Sequence, residues 1–65
     1  MEYSNTDMFR VIDEWIHSAR DRKILKDRFI NGLALEALAE RHDMSASHIR
    51  RIIEDNKPIL FGHMK

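Results

Sequence analysis

Two adjacent arginines, Arg50 and Arg51, follow the short polar segment 45–48 in the C-terminal part of this 65-residue chain. Guanidinium groups pair in bidentate fashion with guanine edges and with phosphates, and serine hydroxyls at a helix start donate to phosphate beside free backbone N–H groups. These residue types at this spacing indicate contact with a polyanion. In the structural alternative, Ser45 is only a helix cap and the arginines are a solvated pair that bridges to Glu54.

The remaining side chains do not support catalysis or metal binding. The chain has no cysteine, and no two of its four histidines, at positions 17, 42, 48 and 63, are three or four residues apart, as zinc ligands on one helix are. Ser45 and His48 lie three residues apart, but no acid orients the histidine and no glycine-rich phosphate loop occurs. We expect no enzymatic activity, no metal and no cofactor, and no motif predicts a small-molecule ligand.

Charges are segregated along the chain, although the formal net charge is zero. Residues 1–19 carry four acidic residues and one basic residue, a net charge of −3, whereas residues 20–28 carry five basic and two acidic residues, a net charge of +3. This distribution predicts one acidic and one basic face, and the zero total argues against an indiscriminate polyanion binder. Ordinary solvated helix surfaces are the alternative.

Length and composition predict a single domain over residues 1–65, near the lower size limit for a self-sufficient hydrophobic core. Either tight helix packing or self-association is expected to supplement its stability. The absence of cysteine fits a reducing compartment, no apolar run is long enough to span a membrane, and the start MEYSNTDMF has no signal-peptide pattern. We expect a cytoplasmic protein.

Apolar spacing and helix-end signals predict two helices in the first half of the chain. Residues 7–19, behind the cap-type cluster Ser-Asn-Thr-Asp, place apolar side chains on one stripe at intervals of three and four. Residues 21–31 form a second, supporting helix. It ends at Asn31-Gly32, because glycine takes the left-handed conformation cheaply, and Leu33 is expected to pack back over the last turn.

The second half of the chain predicts two further helices and a tail. Residues 35–42 form the third helix, and residues 45–57 form the fourth, with Ser45 as N-cap and Pro58 as the stop. Residues 58–65 are the predicted tail, whose Ile-Leu-Phe segment is apolar enough to fold back onto the bundle.

Only three residues, 43–45, separate the third and fourth helices, so the two helices must cross at a steep angle. Ala39 allows close approach of the backbones, and Asp43 occupies the corner, where a residue in the left-handed conformation is wanted. The apolar residues expected to converge there are Leu35, Leu38, Met44, Ile49 and Ile52. The pattern is that of a helix-turn-helix, so we predict an all-α fold, a small four-helix bundle that contains a helix-turn-helix over residues 35–57.

The segment RDRKILKDRFINGLALEALAERHDMSASHIRRII resembles region 4 of the sigma-70 family of bacterial transcription initiation factors. It also resembles the free-standing small proteins of phages and mobile elements that carry this domain. The matching elements are the Arg-x-Arg-x-Ile-Leu opening at residues 20–25, the Arg-Phe pair before Asn31-Gly32, the GLALEALAE stretch and the Ser45-led helix with Ile49-Arg50. The resemblance covers residues 18–60.

This resemblance implies which residues contact DNA. The positions that match the family's base and phosphate contacts lie in the fourth helix, and two lysines of the supporting helix are expected to contact the DNA backbone. The chain departs from the family at Ala46, which lacks the usual long polar side chain, and at Ala34, which replaces the usual Ser or Thr cap. The predicted DNA-binding residues are Ser45, Ala46, Ser47, His48, Arg50, Arg51, Lys23 and Lys26.

These observations predict a sequence-specific DNA-binding transcription regulator that places residues 45–57 in the major groove of double-stranded DNA. The alternative is a protein-interaction module that binds RNA polymerase or another regulator through the same fold, because the resembling domains also bind a polymerase flap. Regions 1 to 3 of a sigma factor are absent from these residues, so the chain does not match a complete initiation factor.

The apolar stripe of the first helix is wider than so small a bundle is expected to cover. Trp15 within the stripe is most simply a core residue. The rest of the stripe, with residues 59–61, predicts a surface for a homodimer or for another partner, and an assembly or toxin-antitoxin component is a third alternative. The residues of this predicted surface are Met8, Phe9, Ile12, Trp15 and Ile16.

Overall fold

The computed structural model describes residues 5–63, which form four α-helices and no strand. Helix α1 spans Asn5–Trp15, α2 spans Ala19–Phe29, α3 spans Leu35–His42 and α4 spans Ala46–Gly62. The predicted all-α fold with a helix-turn-helix is confirmed. Residues 1–4, with the first residue of the predicted cap cluster, and residues 64 and 65 of the predicted tail lie outside the described residues. No helix in the described range has the length and apolarity needed to cross a membrane.

One hydrophobic core joins all four helices, and α2 and α4 each contact the other three. Leu38 of α3 and Ile49 of α4 are fully buried, and the half-buried Leu35, Ala39 and Met44 pack against them, as the corner pattern predicts. The buried core residues are Met8, Val11, Ile12, Ile16, Ile24, Leu25, Leu38, Ile49, Ile52, Ile53 and Leu60.

Burial of α1 contradicts most of the predicted apolar surface. Met8, Ile12 and Ile16 lie in the core, because α1 packs against both α2 and α4 and these two helices cover its stripe. Phe9 and Trp15 remain 48% and 46% exposed. The assignment of Trp15 to the core is therefore wrong. Its ring stacks on the ring of the exposed His63, with centroids 3.7 Å apart and an interplanar angle of 4°.

Helix α1 ends at Trp15 rather than at Ala19, because Ser18 forms the N-cap of α2. Ser18 takes an extended backbone conformation, and its hydroxyl oxygen accepts a hydrogen bond from the Asp21 N–H at 3.3 Å. The Arg22 guanidinium donates to the carbonyl oxygens of Ile16 and His17 at 2.8 and 2.9 Å. An N-cap residue cannot also be helical, so Ala19 begins α2 instead of ending α1.

Helix α4 continues through Pro58 to Gly62, so the predicted stop at Pro58 is wrong. Proline lacks an N–H and leaves the carbonyl of Glu54 without its partner one turn on, which costs about 3 kcal/mol inside a helix. The turn that follows places Leu60 in the core, and the Phe61 ring meets Phe29 edge-on at 5.7 Å. Burying a leucine contributes about 1.5–3 kcal/mol, so apolar packing offsets the proline. The predicted return of the tail onto the bundle occurs, but as helix.

The connection from α2 to α3 follows the local rules. Gly32 has a φ of +73°, the predicted left-handed conformation, and the half-buried Leu33 packs against the core. Ala34 has the extended backbone of an N-cap (φ −73°, ψ 163°) but offers no side-chain oxygen to the first N–H groups of α3. Helix α3 is therefore uncapped at its start.

Replacing Ala34 with serine is expected to stabilise the protein by about 1 kcal/mol, because the new hydroxyl would accept an unpaired N–H of the first turn of α3. Urea denaturation followed by circular dichroism measures the change. Ala37→Ser is the matched control, since Ala37 is exposed inside the same helix, where serine costs about 0.5 kcal/mol. Equal effects of the two substitutions would show that capping does not limit α3.

Candidate nucleic-acid interface

The corner between α3 and α4 is set by backbone hydrogen bonds around Asp43. Asp43 is left-handed (φ 54°, ψ 49°), the only non-glycine residue of positive φ among residues 5–63. Its N–H donates to the Glu40 carbonyl at 3.4 Å, and the Met44 N–H donates to the Ala39 carbonyl at 2.9 Å. This pair of bonds is a Schellman motif, which satisfies the last carbonyls of α3 and turns the chain sharply.

Helix α4 starts immediately after this corner because Ser45 caps it. The Ser45 hydroxyl oxygen accepts the His48 N–H at 3.1 Å, and the residue is extended (φ −72°, ψ 152°). Ser45 therefore has a structural role in the first turn. Its acceptor site is occupied, while the proton of the hydroxyl remains available as a donor.

The outer face of α4 forms a polar ridge, which we define as Ser47, His48, Arg50 and Arg51. All four residues are exposed, whereas Ile49 between them is fully buried and Ala46 is half-buried. Neither arginine makes a hydrogen bond or an ion pair with any residue from 5 to 63. The bridge to Glu54 is not formed, since Glu54 pairs with Lys57 at 3.1 Å. Both guanidinium groups are therefore free to meet an external anion.

Each arginine of the ridge borders a different cleft. The Arg50 cleft, of about 280 Å³, holds the cations Arg28 and Lys57 and the single acid Glu54. The Arg51 cleft, of about 250 Å³, contains Arg20 and His48 but also two acids, Asp21 and Asp55. Charge along the ridge is thus uneven. The Arg50 side carries a net positive charge, whereas the acids and the permanently charged cations balance on the Arg51 side.

Lys23 and Lys26 do not join the ridge. Lys26 Nζ lies 2.7 Å from the Asp13 carboxylate and 3.9 Å from the centroid of the Phe9 ring. Lys23 is exposed and unpaired among the described residues. Both lysines line a third cavity, which shares no lining residue with the two clefts of α4.

Behind the corner lies a polar network that the sequence pattern did not predict. Asp27 is only 9% exposed, and one of its carboxylate oxygens accepts from Asn31 Nδ2 at 3.0 Å. The other oxygen lies 3.0 Å from His42 Nε2 and 3.3 Å from Arg41 Nε. The network ties the last turn of α2 to the last two residues of α3. The available sequence signal was an aspartate three residues after the buried Ile24, on the inward stripe of α2.

Comparison with known proteins agrees with this geometry. A family model described as "Sigma-70, region 4" matches residues 18–55, more than half of the chain. The matched stretch begins at the N-cap of α2 and ends within α4, so it covers the Asp27 network, the corner and the whole ridge. No curated protein and no solved structure matches the chain significantly.

Asp27→Ala is expected to destabilise the protein by about 2–3 kcal/mol, because it leaves the mostly buried His42 ring without its acceptor and removes the bonds from Asn31 and Arg41. The free energy of unfolding from urea titration measures the loss. Asp13→Ala is the matched control, since it removes a carboxylate whose pair with Lys26 is partly exposed and which should contribute less than about 1 kcal/mol. A similar small effect of both substitutions would contradict a special role for Asp27.

Proposed function

The chain belongs to the sigma-70 region 4 family of DNA-binding helix-turn-helix domains, and from this premise we propose that it regulates transcription by binding specific DNA sequences. In this proposal the N-terminal half of α4 enters the major groove of double-stranded DNA, and α3 braces it across the backbone. The observation that carries the proposal is the pair of free guanidinium groups, Arg50 and Arg51, on the exposed ridge directly after the corner.

The ridge offers both kinds of contact that specific recognition requires. Arg50 and Arg51 suit bidentate pairing with guanine or charge-assisted bonds to phosphate. Ser47 and His48 occupy the turn of α4 that is expected to approach the bases first, and Ser45 holds this turn in place. Ala46 presents only a half-buried methyl group, so base reading in this proposal falls to the four ridge residues.

The uneven charge beside the ridge supports a fixed orientation on DNA. Phosphate contacts position a protein and base contacts give specificity. The Arg50 cleft, with Arg28 and Lys57, suits one phosphate strand better than the Arg51 cleft, where Asp21 and Asp55 repel phosphate. We propose that the strand beside Arg50 contributes more of the nonspecific affinity.

The predicted backbone contacts of Lys23 and Lys26 stay a prediction. Lys26 would have to leave the Asp13 carboxylate before it could pair with phosphate, whereas Lys23 has no such partner. The proposed DNA contacts therefore lie on α4.

We also propose a cytoplasmic location, because a bacterial-type transcription regulator acts where the DNA is.

Arg50→Ala and Arg51→Ala are each expected to weaken binding to a selected DNA site. The loss should be about 1–3 kcal/mol for an arginine that contacts a base, and the slope of log affinity against log salt should fall by about 1 for one that contacts phosphate. Selection from randomised DNA supplies the site, and fluorescence anisotropy at several salt concentrations measures both quantities.

Arg10→Ala provides the matched control for this experiment. It removes the same charge from α1, where Arg10 is exposed and pairs with Asp7 and Glu14. The major-groove proposal fails if reversing both ridge charges, in Arg50→Glu/Arg51→Glu, changes affinity and salt slope no more than Arg10→Glu does.

A second candidate function, binding to RNA polymerase, is favoured by the exposed aromatic side chains of α1. Sigma region 4 domains bind both DNA and RNA polymerase. Phe9 and Trp15 are 48% and 46% exposed, and both lie outside the ridge. We propose that the polymerase contact uses the exposed Phe9 ring of α1, and that zero net charge keeps nonspecific DNA binding low enough for this contact to matter.

Purified RNA polymerase is expected to be retained by the immobilised protein after DNase treatment, and Phe9→Ala should lower the retained amount. The Arg50→Glu/Arg51→Glu variant should retain polymerase as the unaltered protein does, because its changes lie on the ridge. Loss of retention on DNase treatment would instead show that DNA alone mediates the association.

A further inference from the structure

We infer that the cavity between α1, α2 and the end of α3 binds a small organic anion that carries a phosphate or carboxylate group next to a flat apolar part. The cavity has a volume of about 520 Å³, within the range of about 300–1,000 Å³ common for ligand sites. Its lining includes Phe9, Lys23, Lys26, Ile30 and Arg41, together with Asp27 and its partners Asn31 and His42. This function is additional to DNA binding and does not depend on it.

The charges around the cavity favour an anion. Three cations, Lys23, Lys26 and Arg41, and one acid, Asp27, line the cavity. Lys26 is already paired with Asp13, which lies outside the lining, at 2.7 Å. The Asp27 carboxylate is balanced by the Arg41 guanidinium, 3.3 Å away, and its two oxygens also bond Asn31 and His42. The positive charge that remains is concentrated at Lys23, which has no partner within residues 5–63.

Arg41 supplies a second contact for the same anion. Its Nε lies 3.3 Å from Asp27, but the side chain as a whole is 65% exposed. A guanidinium group has five N–H donors, so Arg41 retains donors for a ligand while it stays paired with Asp27. Lys23 and Arg41 therefore provide an ammonium and a guanidinium group at one opening.

Phe9 and Ile30 provide the surface that would contact the flat apolar part of the ligand. The Phe9 ring is 48% exposed and Ile30 is half-buried, and both line this cavity as well as an adjoining apolar depression of about 440 Å³. Lys26 lies 3.9 Å from the ring centroid and covers one face of Phe9. An aromatic ligand that packs against the rest of Phe9 would bury apolar surface that water now contacts, and its anionic group would reach Lys23.

The probe for this site is phenyl phosphate, titrated into the ¹⁵N-labelled full chain and followed by chemical-shift changes. We expect saturable shifts at Phe9, Lys23 and Arg41, and an affinity about tenfold higher than that of inorganic phosphate or phenol alone, because each of these supplies half of the interaction. Lys23→Gln should weaken phenyl phosphate binding about fivefold, whereas Lys23→Arg should retain it.

Two controls separate this site from the proposed DNA interface. The Arg50→Ala/Arg51→Ala variant should bind phenyl phosphate with unchanged affinity, since the ridge shares no residue with the cavity. Phe9→Leu should weaken phenyl phosphate more than inorganic phosphate. The inference is overturned if inorganic phosphate binds as tightly as phenyl phosphate, if the shifts concentrate on α4, or if Lys23→Gln has no effect in a variant whose spectrum shows it to be folded.

Discussion

The left-handed corner at Asp43 is the constraint on which the exposure of the ridge depends. A left-handed conformation costs a residue with a Cβ roughly 1–2 kcal/mol, less for aspartate than for most others, so surrounding interactions must hold it. Apolar packing of Leu38 and Ile49 holds the corner from inside. The buried Asp27 carboxylate holds it from behind, through the last two residues of α3. A polar network in this position fixes the orientation of α3 relative to α2 as well as adding stability. Hydrogen bonds require a specific geometry, whereas apolar contacts allow the helices to slide.

Zero net charge is compatible with a DNA-binding ridge because most charges in this chain neutralise one another locally. Arg10, Arg20, Lys26, Arg41 and Lys57 each pair with an acid. Two further arginines, Arg22 and Arg28, donate to backbone carbonyls instead. Of the cations in residues 5–63, this leaves Lys23, Arg50 and Arg51 unpaired. The location of the unpaired cations is therefore a better guide to DNA binding in this protein than its net charge is.

Local rules predicted the features that depend on a few neighbouring residues, and they failed where distant contacts decide. Gly32, Ser45 and the corner at Asp43 followed from turn and cap chemistry alone. The continuation past Pro58 did not, because it depends on burial of Leu60 in a core built from all four helices. Asp27 was missed for the same reason: its partners Arg41 and His42 are more than a helix away in the sequence. Two predicted site residues, Lys23 and Lys26, line a separate cavity, and this placement could be seen only in the structure.

Helix α2 borders both clefts and the third cavity, so it is the element through which a ligand at Lys23 would affect the ridge. At one end of α2, Asn56 Nδ2 lies 3.5 Å from the Asp21 carboxylate, and at the other end Arg28 donates to the Leu33 carbonyl at 2.9 Å. A ligand that draws Arg41 away would remove one of three donors from Asp27, while Asn31 and His42 remain. The coupling free energy between two sites is the change that one ligand makes to the binding free energy of the other. Because only one partly exposed ion pair would be lost, we expect this coupling free energy to be about 1 kcal/mol or less. The geometry thus favours two nearly independent sites that share helix α2.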